Sequence, residues 1–216
     1  MIGAGGHARV VADAMRMAGI ALSAVASLDR ELPTGVLEGL EHLTGDDAVL
    51  TLAAGSVTLV NGVGSVGDAT ARRKIFEKFR AAGFNFASVV HPSAVVGTRV
   101  TLGEGAQIMA GAVVQTGTQL GENCIINTGA SVDHDCWVGG HAHIAPGACL
   151  AGDVVVGPGS HIGARAVIIQ GRSVGSRAVV AAGAVVIDDI SDGITVTGAP
   201  ARQIRRKPLN PNVTPP

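Results

Sequence analysis

The chain has 216 residues, enough for one large or two small domains, and its formal net charge of −1 excludes nucleic acid or a membrane surface bound through bulk charge. It carries 31 Gly but only four Phe, one Trp and no Tyr, a composition that suits a core of Val, Ile and Ala. No apolar run reaches the roughly 18 residues of a membrane span, and no signal peptide precedes the first motif, so a cytoplasmic protein is expected.

The chain opens Met1-Ile2-Gly3-Ala4-Gly5-Gly6-His7-Ala8-Arg9, then places Val11, Ala12, Ala14 and Met15 in a helical pattern. A Gly-rich turn entering a helix cradles phosphate when a strand feeds it, because free N–H groups and the helix dipole face the anion. Only Met1 and Ile2 precede Gly3, so either the first strand is cut short or the true start lies upstream, and a plain tight turn is an equal reading. Ala21 to Leu28 reads as a strand ending at Asp29-Arg30, and Ala48 to Ala53 as a weaker strand. Val57 to Val60 is another, ending in Asn61-Gly62-Val63-Gly64. Ala69 to Ala82 reads as an amphipathic helix, with Ile75 and Phe79 four apart and Arg72, Arg73, Lys74 and Lys78 largely on the wet side. Phe84 to Val90 is the last strand before His91-Pro92. Alternating strands and helices make residues 1–90 a small α/β domain, Rossmann-like, with a parallel sheet and ligands at the strand ends. Both Gly-rich turns and Asp29 stand there, although Asp29 serves equally as a turn residue.

From Val96 to Val186 every sixth residue is Val, Leu or Ile, sixteen positions without a slip. The residue two before each is mostly small, among them Ala94, Ala106, Cys124, Ala130, Cys136, Ala148, Ser160 and Ala178, and Gly follows the aliphatic at 97, 103, 121, 139, 157, 163 and 175. A hexapeptide period marks a parallel β-helix. Three hexapeptides make a triangular coil of eighteen residues, with the aliphatic inward, the small residue beside it and Gly easing the corner. Five coils at ~4.8 Å give a prism about 24 Å long. Arg172 takes a small-residue slot, so either that coil bulges or the guanidinium finds a partner. The solenoid is assigned to 91–190, a cap strand and basic segment with Arg205-Arg206-Lys207 to 191–207, and a disordered Pro-rich tail to 208–216. The basic cluster either meets coenzyme phosphates or is a solvated tail. Cys124, Cys136 and Cys149 lack metal spacing and read as small apolar groups, so no metal is expected.

Four of the seven His lie between 134 and 161. A neutral imidazole accepts a proton from an attacking amine or hydroxyl near pH 6.5, and an acidic neighbour fixes its tautomer. In a regular strand Asp135 would face away from His134, so that pairing demands a corner or a bulge, and Asp133 meets the same difficulty. Counting eighteen places Gly152 over His134, where a missing side chain leaves room for a thioester and bares an N–H toward its oxyanion; a Gly present for the turn alone is the alternative. The same count stacks His143 under His161, as ligands or as surface residues. The unbroken beat excludes a catalytic loop inserted between coils, so a site on the flat prism face, walled by a neighbouring subunit, is expected.

The Gly5-Gly6-His7 turn, His91-Pro92-Ser93-Ala94, the Asn127 to Cys136 run and Gly198-Ala199-Pro200-Ala201 together resemble one family across nearly the whole chain. It is the family of sialic acid O-acetyltransferases and bacterial nucleotide-sugar N-acetyltransferases, including those acting on UDP-4-amino sugars and GDP-perosamine. The His-Asp-Cys triplet at 134–136 is similar to the perosamine-type enzymes rather than to members carrying His-Glu-Cys. The resemblance implies a left-handed β-helix in a homotrimer with active sites at subunit interfaces. It implies acetyl transfer from acetyl-CoA to the 4-amino group of a nucleotide-linked sugar in surface glycan biosynthesis. His134 matches the general base, Asp135 its acidic support and Asn127 a polar residue of the same site. His143 and the backbone at Gly152, Ala164 and Ala182 match the acetyl-CoA contacts, and Gly5, Gly6, His7, Asp29, Arg30 and Gly62 the nucleotide-sugar pocket. The rival readings are an O-acetyltransferase acting on sialic acid or another small hydroxyl acceptor, and a solenoid without catalysis.

Overall fold

The computed structural model describes residues 1–29 and 31–204, so Arg30, the basic run 205–207 and the tail lie outside the described residues. The amino-terminal part is a parallel sheet of five rows. Its central row is Ile2 alone, bridged to Ala26 on one side and to Asn61 on the other. After it come α1 (Gly6–Met17), β1 (Ala24–Ser27), β2 (Glu41–Thr44), α2 (Gly45–Leu50), β3 (Thr58–Leu59), α3 (Thr70–Ala81) and β4 (Asn85–Phe86). β1 pairs with β2 and β3 with β4, all parallel. The two sides of the sheet carry separate cores. Val11, Ala12 and Met15 of α1 pack with Val25 and Val60, and Phe76 and Phe79 of α3 pack with Ile2, Ala26, Leu59 and Phe86.

Three expectations need correction in this part. Ala48 to Ala53 is not a strand but spans the end of α2 and the turn after it. Asp46 and Asp47 occupy the first turn of α2, where the helix dipole favours carboxylates. Of Val49, Leu50 and Leu52 only Val49 is buried, so no alternating face exists for a sheet row. The missing row is Glu41–Thr44, whose burial pattern shows no buried residue and which therefore carried no hydrophobic signal. Arg72, expected on the wet side of α3, is 1% exposed. Phe84 to Val90 divides into two rows: β4 closes the α/β sheet, and Val89–Val90 pairs with Gln107–Ile108 as the first rung of the solenoid.

The solenoid has three faces, and every parallel pairing along it from Val89–Val90 to Val185–Val186 runs at eighteen residues, as Ser131↔Cys149, Trp137↔Val155 and His143↔His161 show. Face one carries the rows at 89–90, 107–108, 125–126, 143–144, 161–162 and 179–180; face two those at 95–96 through 185–186; face three those at 101–102 through 173–174. The inward aliphatics from Ile108 to Val186 are at most 3% exposed, with Cys124 and Cys136 buried among them.

The corners have two separate demands. At fifteen positions spaced by six, from Arg99 to Gly183, the backbone is left-handed; eight are Gly, while Asn123, Asp135 and His141 are among the seven that are not. The seven Gly that directly follow an aliphatic serve close approach instead: a Cβ at Gly157 would lie 2.5 Å from the Ser176 nitrogen of the next coil. The beat ends after Val186, because Val174 bridges to Ile190, sixteen residues on. Arg172 makes no bulge; its Nη1 stands 3.8 Å from Asp189 Oδ1 in that shortened turn. The α/β part sits on face one, where Gln107, Met109 and Ile125 are completely buried.

Candidate active site

The left-handed backbone of Asp135, φ 57°, folds its carboxylate back on the preceding ring, so that Asp135 Oδ2 lies 2.9 Å from His134 Nδ1. Asp133 Oδ1 accepts the His134 backbone N–H at 2.8 Å. A carboxylate only accepts, so Nδ1 carries the proton and Nε2 is the bare, basic nitrogen. The hydrogen bond to Asp135 raises the His134 pKa, and the charges of Asp133, Asp135 and Asp153 act in the same direction. Gly152 lies one coil further, under the ring. A Cβ there would be 2.5 Å from both Cε1 and Nε2 of His134, so only Gly leaves the imidazole in place. Among the described residues, the Gly152 N–H donates to none.

A second feature lies where the α/β part meets face one. A cavity of about 550 Å³ is lined by Gly5, Gly6 and His7 at the entry to α1, by Gly62 to Val66 after β3, and by Asn127 and His143 from the solenoid. Gly62 is obligatory, because a Cβ would fall 2.8 Å from Ala8 Cβ and from the Ile2 carbonyl. Gly5 caps α1 without a side-chain bond, which leaves the first N–H groups of the helix for an anion. His143 Nδ1 donates to the Ser65 carbonyl at 2.8 Å, and its Nε2 accepts from Asn127 Nδ2 at 2.9 Å. Asn127 Oδ1 in turn accepts the Thr128 N–H at 2.8 Å. Both nitrogens of His143 are thereby engaged, and the ring orients Asn127. Burial and the neighbouring His161, stacked edge-on at 5.0 Å, push the His143 pKa down to about 3. His7 Nε2 lies 2.8 Å from Gln107 Oε1, and burial lowers its pKa to about 4.

The expected site residues therefore fall into separate groups. His134, Asp135 and Gly152 share the corner after face two. Asn127, Ala164 and Ala182 share the corner after face one, where both alanines are exposed. A coil side of six residues, roughly 15–20 Å at about 3.3 Å per residue, separates those corners. One chain does not bring His134 to the cavity. Gly5, Gly6, His7 and Gly62 converge with Asn127 and His143, whereas Asp29 is exposed beyond β1 and does not line the cavity.

Sequence reasoning missed a buried polar junction behind the cavity. Arg72 Nη1 donates to the carbonyls of Asn61 and Val63 at 3.0 and 2.7 Å, and Nε to that of Asn123 at 3.1 Å. Asn61 Nδ2 donates to Asn123 Oδ1, and Asn123 Nδ2 to His141 Nδ1 at 2.9 Å, which makes His141 a junction residue. None of the ion pairs among the described residues involves Arg72, and burial lowers its pKa to about 9. The signal was available: Arg72, Phe76 and Phe79 stand at i, i+4 and i+7, one helix face. Among the described residues no group of three His, Cys, Asp or Glu could hold a metal ion.

Residues 1–79 match the PglD N-terminal domain, 99–134 the bacterial transferase hexapeptide and 153–187 the hexapeptide repeat of succinyl-transferase. No curated protein sequence matches significantly. The acetyltransferase domain of PglB from Neisseria gonorrhoeae FA1090, also solved with acetyl coenzyme A, is 37% identical over 94% of this chain and 97% of its own, with a TM-score of 0.84. PerB from Caulobacter crescentus, solved with CoA and GDP-perosamine, is 36% identical over 94% and 95%, with a TM-score of 0.86. WeeI from Acinetobacter baumannii AYE is 26% identical over 94% and 97%, with a TM-score of 0.81. The solenoid is the left-handed β-helix of hexapeptide-repeat proteins.

Proposed function

We infer the reaction from one fact: the chain belongs to the family of hexapeptide-repeat sugar acetyltransferases with a PglD-type amino-terminal domain, to which the PglB acetyltransferase domain and perosamine N-acetyltransferase belong. It is an acetyl-CoA-dependent acyltransferase. We assign as acceptor the 4-amino group of a nucleotide-linked amino-deoxy sugar, made for a cytoplasmic step of surface glycan assembly. The observation that carries this reading is the His134–Asp135 pair, with a bare Nε2 above a glycine.

In this reading His134 Nε2 takes a proton from the acceptor amine as the nitrogen attacks the thioester carbonyl. The C–N bond forms, the tetrahedral oxyanion is held by the Gly152 N–H, and the C–S bond breaks to release CoA thiolate. Asp135 keeps the ring oriented and stabilises the imidazolium. Asp133, Asp135 and Asp153 put negative potential at this corner, which favours an amine, positive as it attacks, over the hydroxyl of the O-acetyl alternative. The cavity takes the nucleotide sugar, with its diphosphate toward the entry of α1 and the turn at Gly62.

Because the base and the cavity occupy different corners, a second copy supplies the missing half of each site, and three copies close the ring. Acetyl-CoA then runs between two corners, with its thioester at His134 and Gly152 and its tail along Ala164 and Ala182 of the neighbour. The test is an acceptor panel with acetyl-CoA. Transfer to UDP-, GDP- or dTDP-linked 4-amino sugars, lost in His134→Ala, supports the reading; transfer to free sialic acid instead supports the hydroxyl alternative, and no transfer to any acceptor sinks both.

A further inference from the structure

Gln107 stands where its hydrogen-bond directions are forced. The Asn61 carbonyl can only accept, so Gln107 turns its Nε2 toward that oxygen, at 2.8 Å. The amide oxygen is thereby left facing His7 Nε2, also at 2.8 Å, and it can only accept there. His7 consequently carries its proton on Nε2 and keeps Nδ1 bare. The amide is completely buried and comes from the solenoid, whereas His7 and Asn61 come from the two turns of the α/β part that border the cavity. One side chain thus ties both turns to face one. The other imidazole of the cavity, His143, has both nitrogens engaged, so His7 Nδ1 is the imidazole acceptor that remains for a ligand.

We propose that Gln107 is a positioning residue for the acceptor: it locks His7 in the Nε2–H tautomer, so that this wall of the cavity presents a hydrogen-bond acceptor and selects a ligand carrying an N–H or O–H donor at that point. The assignment rests on reading the cavity as the nucleotide-sugar pocket, and it adds what the pocket demands of the ligand. Gln107 touches no reacting atom and acts through His7.

Two measurements test it on the full chain. Long-range proton–nitrogen NMR at pH 7.5, with the His7 signals identified by comparison with His7→Ala, reads the tautomer without altering Gln107. The Nε2–H form is expected, and an Nδ1–H form or a mixture overturns the proposal. Kinetically, Gln107→Met keeps the side-chain length and loses both bonds. It should raise the acceptor KM about tenfold, the loss of about one hydrogen bond to the ligand once His7 Nδ1 is free to take the proton, with the acetyl-CoA KM unchanged. The double variant with His7→Ala should be no worse than His7→Ala alone; independent, multiplicative losses would make Gln107 merely structural and overturn the proposal. If the natural chain acetylates no nucleotide sugar, the functional reading fails, while the tautomer still decides whether Gln107 holds His7 as described.

Discussion

The side chain of His134 is 45% exposed, so its loss should register in rate rather than in stability. His134→Ala is expected to lower kcat by about 10²–10⁴, the usual contribution of a general base, with little change in melting temperature. A base works in its neutral form, so kcat/KM should fall as pH drops through the imidazole pKa. Asp135 holds that pKa up; Asp135→Asn should therefore move the acid limb to lower pH and also reduce the plateau rate, because a weaker, less well oriented base remains. Gly152→Ala should cost about as much as losing the imidazole, since the new methyl takes the space of Nε2. A pH profile of kcat/KM for the three variants checks all of this. At this scale the sequence was legible where chain geometry alone decides: eighteen-residue stacking put Gly152 against the His134 ring, one coil on. The partner of His143 was not legible, because Ser65 is 78 residues away and only packing joins them.

Coil corners translate the hexapeptide into two kinds of glycine, and the two should respond differently to alanine. At Gly129, φ 63° with open space around it, the cost is that of a left-handed residue, about 1–2 kcal/mol. At Gly157 the methyl meets backbone nitrogen and carbon at 2.5 and 2.6 Å, neither of which can rotate away, so the loss should exceed that at Gly129 by about 1–3 kcal/mol. Urea unfolding of the two variants makes the comparison; equal losses would refute the distinction. For α3, Arg72→Met leaves the Val63 and Asn123 carbonyls without their donor and should cost about 2–4 kcal/mol. Arg72→Lys should not restore it, since one ammonium does not reproduce the guanidinium fork. Elements with a strong period, α3 and the coils, were readable from sequence. β2 was not, because a short row half-covered on both sides alternates nothing.

Across the whole molecule the two cavity histidines couple folding to pH. An unfolded imidazole binds its proton near pH 6.5, whereas folded His143 does so only near 3 and folded His7 near 4. Between those values the unfolded chain holds more protons. Stability is thus fully present above pH 6.5 and should fall as pH drops to about 4, by about 1.4 kcal/mol per unit for each histidine. His134, raised rather than lowered, acts in the opposite sense. Urea midpoints measured between pH 7.5 and 4.5 should show the fall, and His143→Gln should halve its slope. For assembly, sedimentation is expected to give three times the 21.6 kDa of one chain, and His134→Ala mixed with a cavity variant weakened in acceptor binding, such as His7→Ala, should show more activity than either variant alone through hybrid trimers. Recovery is the outcome that sites shared between subunits require.

Sequence alone determined the three-sided coil and its eighteen-residue register, while its left hand came from the family likeness. A period of six with an inward aliphatic packs as a three-sided coil, and that coil dictates which residues lie eighteen apart on one face. Only the tertiary structure decided what the α/β part does to face one. There Arg72 and Gln107, 35 residues apart, both donate to the buried Asn61 carbonyl. Repeats reveal themselves through local spacing, whereas a buried polar junction is specified by groups that become neighbours only once the α/β part and face one are packed together.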